Sequence, residues 1–457
     1  MEQVYVYFQA GTLVLEGVGK AMAPAGSFQW LNGRWRCPAG HYPRLQVWLK
    51  QRQIHDKVGQ WPPLYLVCHE QRQAHDYQTE SLAAWHNQNR FGSIVLPTGA
   101  GKTFVAIQAI SQCQVSTLIV VPTIDLLHQW YARLQNAFQT EIGVWYGQEK
   151  ESRPVTITTY SSAWSHAEKL GNQFKLLIFD EIHHLPAPTW HEIALMYAAP
   201  FRLGLTATYP QNSDNLALLE ELVGPVLYRK HIEDLSGEQL AQYRTERLRI
   251  DLNEAERAAY DTAYAAYTGY VREAGLRERH GGDWWEAFTR RSAFEREARR
   301  AKVAELKLKE IVHQAQAKLT ILDRLLREHA DQPMLIFTTH NRFAYQIARH
   351  YLIPAITHQT KAAERKEILE GFQAGRYRAI VTSKVLNEGI DVPEAKVAVV
   401  LGGSASAREY VQRLGRILRK KGNLQAILYE VIARKTVDER VAQQRKQGVQ
   451  YHVSGRE

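Results

Sequence analysis

Cysteine is scarce: three residues, Cys37, Cys68 and Cys113, in a chain of 457. They are odd in number, far apart, and none has a second cysteine at metal-ligand spacing, which argues against a disulfide scaffold and a zinc ribbon and fits a reducing compartment. No stretch is both uncharged and apolar enough to cross a bilayer, so no membrane association is expected. Met1 to Lys20 alternates apolar and polar residues and carries Glu2 and Glu16, unlike a basic, apolar export signal, so a cytoplasmic location is expected. There is no repeat of solenoid type and no low-complexity tract. His183 and His184 are adjacent but have no further ligands at fixed spacing, which gives no transition-metal site.

What the chain does have is length, positive charge and regular punctuation. A length of 457 exceeds what one hydrophobic core usually sustains, and two to four domains are expected. A net charge of +10 and a pI near 9.3 call for an acidic partner, of which nucleic acid is the commonest. Val4 to Leu15 reads as a strand pair broken at Gly11. From Glu70 to Leu227 short apolar runs alternate with helical patterns: Ser93 to Leu96, Thr117 to Val121, Thr156 to Thr159, Leu176 to Phe179, Leu203 to Thr206. A second series runs through Met334 to Phe337, Ala379 to Thr382, Val397 to Leu401 and Ala426 to Ile432. Both series predict α/β modules with parallel sheets. Between them Asn253 with Glu256 opens a helix, Tyr260, Tyr264, Tyr267 and Tyr270 follow at helical spacing, and the mixed Arg and Glu residues to about Glu310 suit a solvated, salt-bridged face.

The first module carries a phosphate loop. Directly after a strand comes Pro97-Thr98-Gly99-Ala100-Gly101-Lys102-Thr103, and a helix follows from Phe104 to Ile110. The glycines let backbone amides turn toward phosphate oxygens, Lys102 neutralises the terminal phosphates, and Thr103 ligates Mg2+. The general pattern has a glycine where this chain has Leu96. Downstream, the strand Leu176 to Phe179 ends in Asp180-Glu181-Ile182-His183. Strand ends are where open α/β sheets place ligands, so Asp180 is expected to hold Mg2+, commonly through water, and Glu181 to activate the attacking water.

The loop together with Asp180 to His183 resembles the DExH box of superfamily-2 helicases, and the remaining motifs stand in the family's order. Gln78 resembles the glutamine that such proteins use to recognise adenine. Val121-Pro122-Thr123 and Thr158-Thr159-Tyr160 resemble segments that grip nucleic-acid phosphates, and Leu205-Thr206-Ala207-Thr208 resembles the motif linking hydrolysis to strand movement. In the second module Phe337-Thr338-Thr339 and Thr382-Ser383 resemble further track contacts, and Asn387 to Pro393, with Gly389 and Asp391, resembles the motif that senses nucleotide and strand. Gln412-Arg413-Leu414-Gly415-Arg416-Ile417-Leu418-Arg419 resembles the final helicase motif. Arg416 and Arg419, three apart on one helical face, would both reach the terminal phosphate, beside Gln412.

Phrases such as Phe179-Asp180-Glu181-Ile182-His183-His184-Leu185-Pro186 and Pro200-Phe201-Arg202-Leu203-Gly204-Leu205-Thr206-Ala207-Thr208 are similar to the XPB branch of that superfamily. The resemblance implies an N-terminal domain over 1–70 similar to the damage-recognition domain, a RecA-like module over 71–230, a linker and helical thumb over 231–315, and a second RecA-like module over 316–457. It implies ATP and Mg2+ as cofactors, 3′ to 5′ movement in nucleotide-excision repair, single-stranded and forked DNA as partners, an associated repair nuclease, and a monomer or heterodimer. Two departures stand out. Tyr209 to Asp214 replaces the family's Arg-Glu-Asp signature of strand separation, and His75 stands where an arginine is usual. A double-stranded DNA translocase and an ATP-gated platform for a nuclease therefore stay open beside the helicase, and an RNA helicase of the DExH type ranks behind them.

Overall fold

A computed structural model describes residues 4–20, 28–210, 212–235, 243–383, 395–402 and 426–443. The chain divides into two compact units, with the main division after Leu235.

The first unit opens with a five-stranded sheet: β1 (Tyr5–Gln9), β2 (Thr12–Glu16), β3 (Gln29–Leu31), β4 (Arg34–Pro38) and β5 (His55–Lys57), in the order β3-β4-β2-β1-β5. The β1 to β2 turn is tight because Ala10 and Gly11 both take positive φ, at 48° and 79°. Alternation then turns Val6, Leu13 and Leu15 inward against helix α1 (Tyr42–Gln51), whose Tyr42, Leu45 and Leu49 complete the core.

Eight strands follow: β6 (Phe91–Val95), β7 (Thr117–Val121), β8 (Gly143–Tyr146), β9 (Glu149–Lys150), β10 (Val155–Thr159), β11 (Leu176–Asp180), β12 (Phe201–Thr206) and β13 (Val226–Arg229). Their order is β13-β6-β12-β11-β7-β10-β8-β9. All pairings are parallel except the β8 to β9 hairpin. The central strands β7 and β11 are buried at every residue, as both-faces-covered parallel strands must be. Helices α2 (Asp76–Asn87), α3 (Lys102–Cys113), α4 (Ile124–Phe138) and α5 (Tyr160–Ser165) surround the site described below.

At the opposite, N-terminal end of β12, Arg202 is completely buried. Its guanidinium has no carboxylate partner among the described contacts. It donates to the carbonyl oxygens of Leu222, of Tyr197 at 2.8 Å, and more loosely of Ala199 and Gly40 at 3.4 Å. Gly40 belongs to the N-terminal sheet domain, which is thereby fastened to the larger sheet. Trp61 Nε1 donating to Asn172 O at 3.0 Å and Asn172 Nδ2 donating to Val58 O at 3.0 Å close the same seam.

The second unit holds six parallel strands: β14 (Tyr243–Ile250), β15 (Met334–Phe337), β16 (Ala355–Ile356), β17 (Ala379–Thr382), β18 (Val397–Val400) and β19 (Ala426–Ala433), in the order β14-β19-β18-β15-β17-β16. Between β14 and β15 lie the helices Glu254–Glu273, Leu276–His280, Trp284–Phe294 and Arg296–His313. Asn253 and Glu256 form the expected capping box. Tyr260, Tyr264 and Tyr267 pack toward the sheet core, while Tyr267 and Tyr270 flank Phe288 of the insertion's own small core. Many charges there are used in short-range pairs such as Lys302–Glu305 and Lys309–Glu305. Near the C-terminal end of β18, buried Lys318 pairs with buried Asp438 at 3.0 Å and donates to Leu401 O at 2.6 Å. No helix among the described residues is long and apolar enough to cross a membrane.

Candidate nucleotide site and its couplings

The loop between β6 and α3 needs two backbone positions that side chains avoid. Gly99 and Gly101 take φ of 88° and 81°, and Gly101 is the left-handed N-cap of α3. A Cβ on Gly101 would stand 2.5 Å from Gln78 Nε2, so the glycine is required by space as well. Ala100 O accepts from Gln78 Nε2 at 2.9 Å and from Tyr77 OH at 2.8 Å, and Gln78 Oε1 accepts from His75 N at 3.1 Å. The Gln78 amide thus braces the loop, and His75 stays in its place as N-cap of α2. Pro97 is buried, Thr98 is partly exposed, and Thr103 is partly exposed in the first turn of α3. The Lys102 amine lies back on the loop, 3.3 Å from Leu96 O and 3.5 Å from Pro97 O.

Opposite the loop, β11 delivers Asp180 and Glu181. Asp180 is buried, with Oδ1 accepting from Glu181 N at 3.0 Å and Oδ2 from Trp130 Nε1 at 2.7 Å. Burial pushes its carboxyl up to about 6, helped by the Glu181 charge, while the Trp130 indole and the Lys102 amine hold it down. Glu181 takes the left-handed conformation, φ 50° and ψ 52°, unusual for a residue with a side chain. Its Oε2 stands 3.4 Å from Thr206 Oγ1 and from His183 Nδ1, and His183 Nδ1 lies 2.9 Å from Thr206 Oγ1. A glycine-bearing loop, a lysine, a hydroxyl and a carboxylate form a hard-oxygen and cationic donor set that fits a magnesium-bound triphosphate. The two positive-φ glycines of the loop, with Lys102 close enough to lower the carboxyl pKa of buried Asp180, are the observation supporting that fit.

Several threonines read as track contacts are occupied within the protein. Thr159, Thr206, Thr208 and Thr382 are at most 6% exposed. Thr159 Oγ1 caps α5 through Ser162 N at 3.2 Å, Thr206 Oγ1 bridges to Thr208 O at 2.8 Å, and Thr382 Oγ1 donates to Ser383 O at 3.2 Å. Their hydroxyls act as braces and linkers within the protein. Thr123 and Thr339 keep partial exposure; Thr123 caps α4 through Leu126 N at 3.3 Å. Gly389, Asp391, Gln412, Arg416 and Arg419 lie outside the described residues.

Sequence reasoning missed Trp130 and Tyr160, both aimed at Asp180. Trp130 falls in no motif and Tyr160 only closes the segment Thr158-Thr159-Tyr160, and the fold alone shows that their polar atoms reach Asp180.

Residues 71–211 match the model described as type III restriction enzyme, res subunit, and residues 317–421 match the helicase conserved C-terminal domain. The chain is 41% identical over 372 residues to a protein of Sulfurisphaera tokodaii named DNA 3′-5′ translocase XPB2, covering 81% of this chain and 84% of that one. It belongs to the XPB family of superfamily-2 helicases. Proteins named DNA 3′-5′ helicase XPB from Kineococcus radiotolerans and Mycobacterium tuberculosis are each 30% identical, covering 88% and 86% of this chain and 70% and 69% of theirs. The crystal structure of the Pyrococcus furiosus Hef helicase domain shares the fold at a TM-score of 0.54 and 18% identity, covering 84% of this chain and 100% of that one. XPB enzymes use ATP, and the tandem RecA-like expectation for the α/β modules agrees with these matches.

Proposed function

We propose that this chain is an ATP-driven, 3′ to 5′ DNA translocase and helicase of XPB type that opens DNA in nucleotide-excision repair. The supporting observation is the convergence of the Gly99 and Gly101 loop with Asp180 and Glu181 at the C-terminal ends of β6 and β11. Lys102 would meet the terminal phosphates, Thr103 and Asp180 would hold Mg2+, and Glu181 would take the proton of the attacking water. The metal would supply charge neutralisation between phosphates. Thr206, bonded toward Glu181 and His183, would relay movement of β12 to the base. Residues 1–70 would serve as the recognition domain, 71–230 and 316–457 as the modules, and 231–315 as linker and thumb. Gly389, Asp391, Gln412, Arg416 and Arg419 would complete the nucleotide site from the second module, closing and releasing a DNA track with each turnover.

Lys102→Ala should cut DNA-stimulated ATP turnover by about three orders of magnitude, on the scale of losing a transition-state contact. Undiminished turnover in that variant would sink the site. A second reading, translocation along duplex without strand separation, is favoured by buried Tyr209 where the family has its Arg-Glu-Asp signature. Triplex displacement without opening of a forked duplex would select it. A repair nuclease is the expected partner, and co-purification with a nuclease whose cutting depends on ATP would support that part.

A further inference from the structure

The N-terminal ends of β6 and β12 do not close against α1. A cleft of about 680 Å³ lies there, at the end of the sheet away from the phosphate loop, and it is lined by Arg44 from α1 and Arg90 from the turn that leads into β6. That volume suits a small-molecule ligand.

Arg90 reaches the cleft through a strained turn. Asn89 and Arg90 both take positive φ, at 54° and 60°, a region that asparagine tolerates and arginine does not favour. Glycine would make the same turn freely; arginine strains it and brings a guanidinium. The side chain is then aimed. Its Nε donates to His86 Nδ1 at 3.3 Å, which leaves the imidazole proton on Nε2, toward Gln112 Oε1 at 2.8 Å. The guanidinium lies 4.8 Å from the centre of the Phe201 ring, and among the described contacts it meets no carboxylate.

Further cations surround the same walls. Lys175 stands 5.4 Å from the Phe201 ring centre, and buried Arg202 stands 5.8 Å from that of Phe91. Arg44 donates to the Glu221 carbonyl at 2.7 Å and meets its carboxylate only loosely, at 3.9 Å. Burial first and then the Arg44 charge lower the Arg202 pKa, so an anion beside Arg44 relieves both groups. Glu220 also lines the cleft, and with its neighbour Glu221 it repels a long polyanion while leaving space for one anionic group. Guanidinium forks from two separate elements suit the three oxygens of a phosphate ester, whereas a planar carboxylate is satisfied by one fork. Phe91 and Phe201 add an apolar wall, and the side-chain amides of Gln46, Gln88 and Asn89 add the paired donors and acceptors that the edge of a nucleobase requires.

We propose that this cleft is a second ligand site, separate from the phosphate loop, that takes a nucleoside monophosphate: Arg44 and Arg90 hold its phosphate, and the amides and aromatic rings hold its base.

The test titrates AMP, GMP, CMP and UMP into the full chain by calorimetry, with and without saturating Mg2+ and ADP. Inorganic phosphate, a short oligothymidylate and hexaglutamate are run beside them. At least one monophosphate should bind one to one, at least about threefold more tightly than inorganic phosphate, and ADP should change that affinity by less than about twofold. Arg90→Gln should weaken it about tenfold, as expected for losing a bond between charged groups, and Arg44→Gln about fivefold, because Glu221 already engages that arginine. Thermal melting of Arg44→Gln should stay close to wild type. The proposal is overturned if none of the four binds below about 1 mM. It is overturned equally if ADP displaces the monophosphate, which places the probe in the phosphate loop, or if inorganic phosphate binds as tightly. An oligothymidylate or hexaglutamate that loses affinity in the two variants while the monophosphate does not also overturns it. If Arg90→Gln fails to fold, wild-type monophosphate affinity in Arg44→Gln decides against the site.

Discussion

Arg202 in the first unit and Lys318 in the second are both fully buried cations, and they are accommodated in opposite ways. Arg202 meets four carbonyl oxygens among the described contacts and no carboxylate. Burial lowers its pKa to about 9, so it stays charged at neutral pH. Lys318 meets a carboxylate and one carbonyl. For its partner Asp438, burial would raise the carboxyl, yet Lys318 brings it below the ordinary value. The planar guanidinium has five donors fanned in a plane and can gather partial charges from several chain segments; the compact ammonium concentrates its charge on one point and needs a full counter-charge. The first arrangement ties the stretch 197–202 and Leu222 to each other and to a neighbouring domain. The second pins one helix to a strand end.

Each arrangement can be broken. Arg202→Leu should have the largest effect, about 3 to 5 kcal/mol in chemical denaturation, since it leaves several buried carbonyls without donors. It should also make residues 1–70 more sensitive to limited proteolysis. Lys318→Met should cost about 3 kcal/mol by leaving Asp438 buried and alone, and adding Asp438→Leu should recover most of that loss; a double variant as unstable as the single one would contradict the pairing.

Next to this pair, His313 is largely buried. Burial, then the Lys318 charge, lowers its pKa to about 3, while Asp438 acts the other way. The unfolded chain therefore binds a proton below about pH 6.5 that the folded chain refuses, so stability is lost as pH falls from there toward 3. At pH 5 this amounts to about 2 kcal/mol. Measured against pH 7, His313→Leu should flatten the loss by that amount. The smallest change should come from Arg44→Ala: Arg44 and Glu221 are 3.9 Å apart and about half exposed, and the variant should alter stability by under about 1 kcal/mol.

Both sheets were legible because their central strands are short apolar runs. The segments predicted at Thr117 to Val121, Met334 to Phe337 and Ala379 to Thr382 coincide with β7, β15 and β17. Strand β14 was not legible: Arg244, Glu246, Arg247 and Arg249 give it the look of a linker, and it is a strand because β19 supplies an eight-residue parallel partner and Glu430 pairs with Arg247 at 2.9 Å. Strands β8, β13 and β16 escaped for a related reason, being short and at or near the sheet margins. The phosphate loop and the Asp180-Glu181 pair could be read because spacing along one strand or loop specifies them. Trp130, Tyr160 and Arg202 could not, since their roles are defined by atoms from segments 20 to 162 residues away.

Gly40 is a small detail with mechanical reach. A Cβ there would lie 2.2 Å from Ala194 O, so the N-terminal sheet domain sits directly on the backbone before Arg202, with no room for a lubricating side chain. The domain is cargo bolted to the chassis that carries the phosphate loop. Whatever that domain holds would move with the module's every displacement, and substituting Gly40 should loosen the attachment between the two before it unfolds either one.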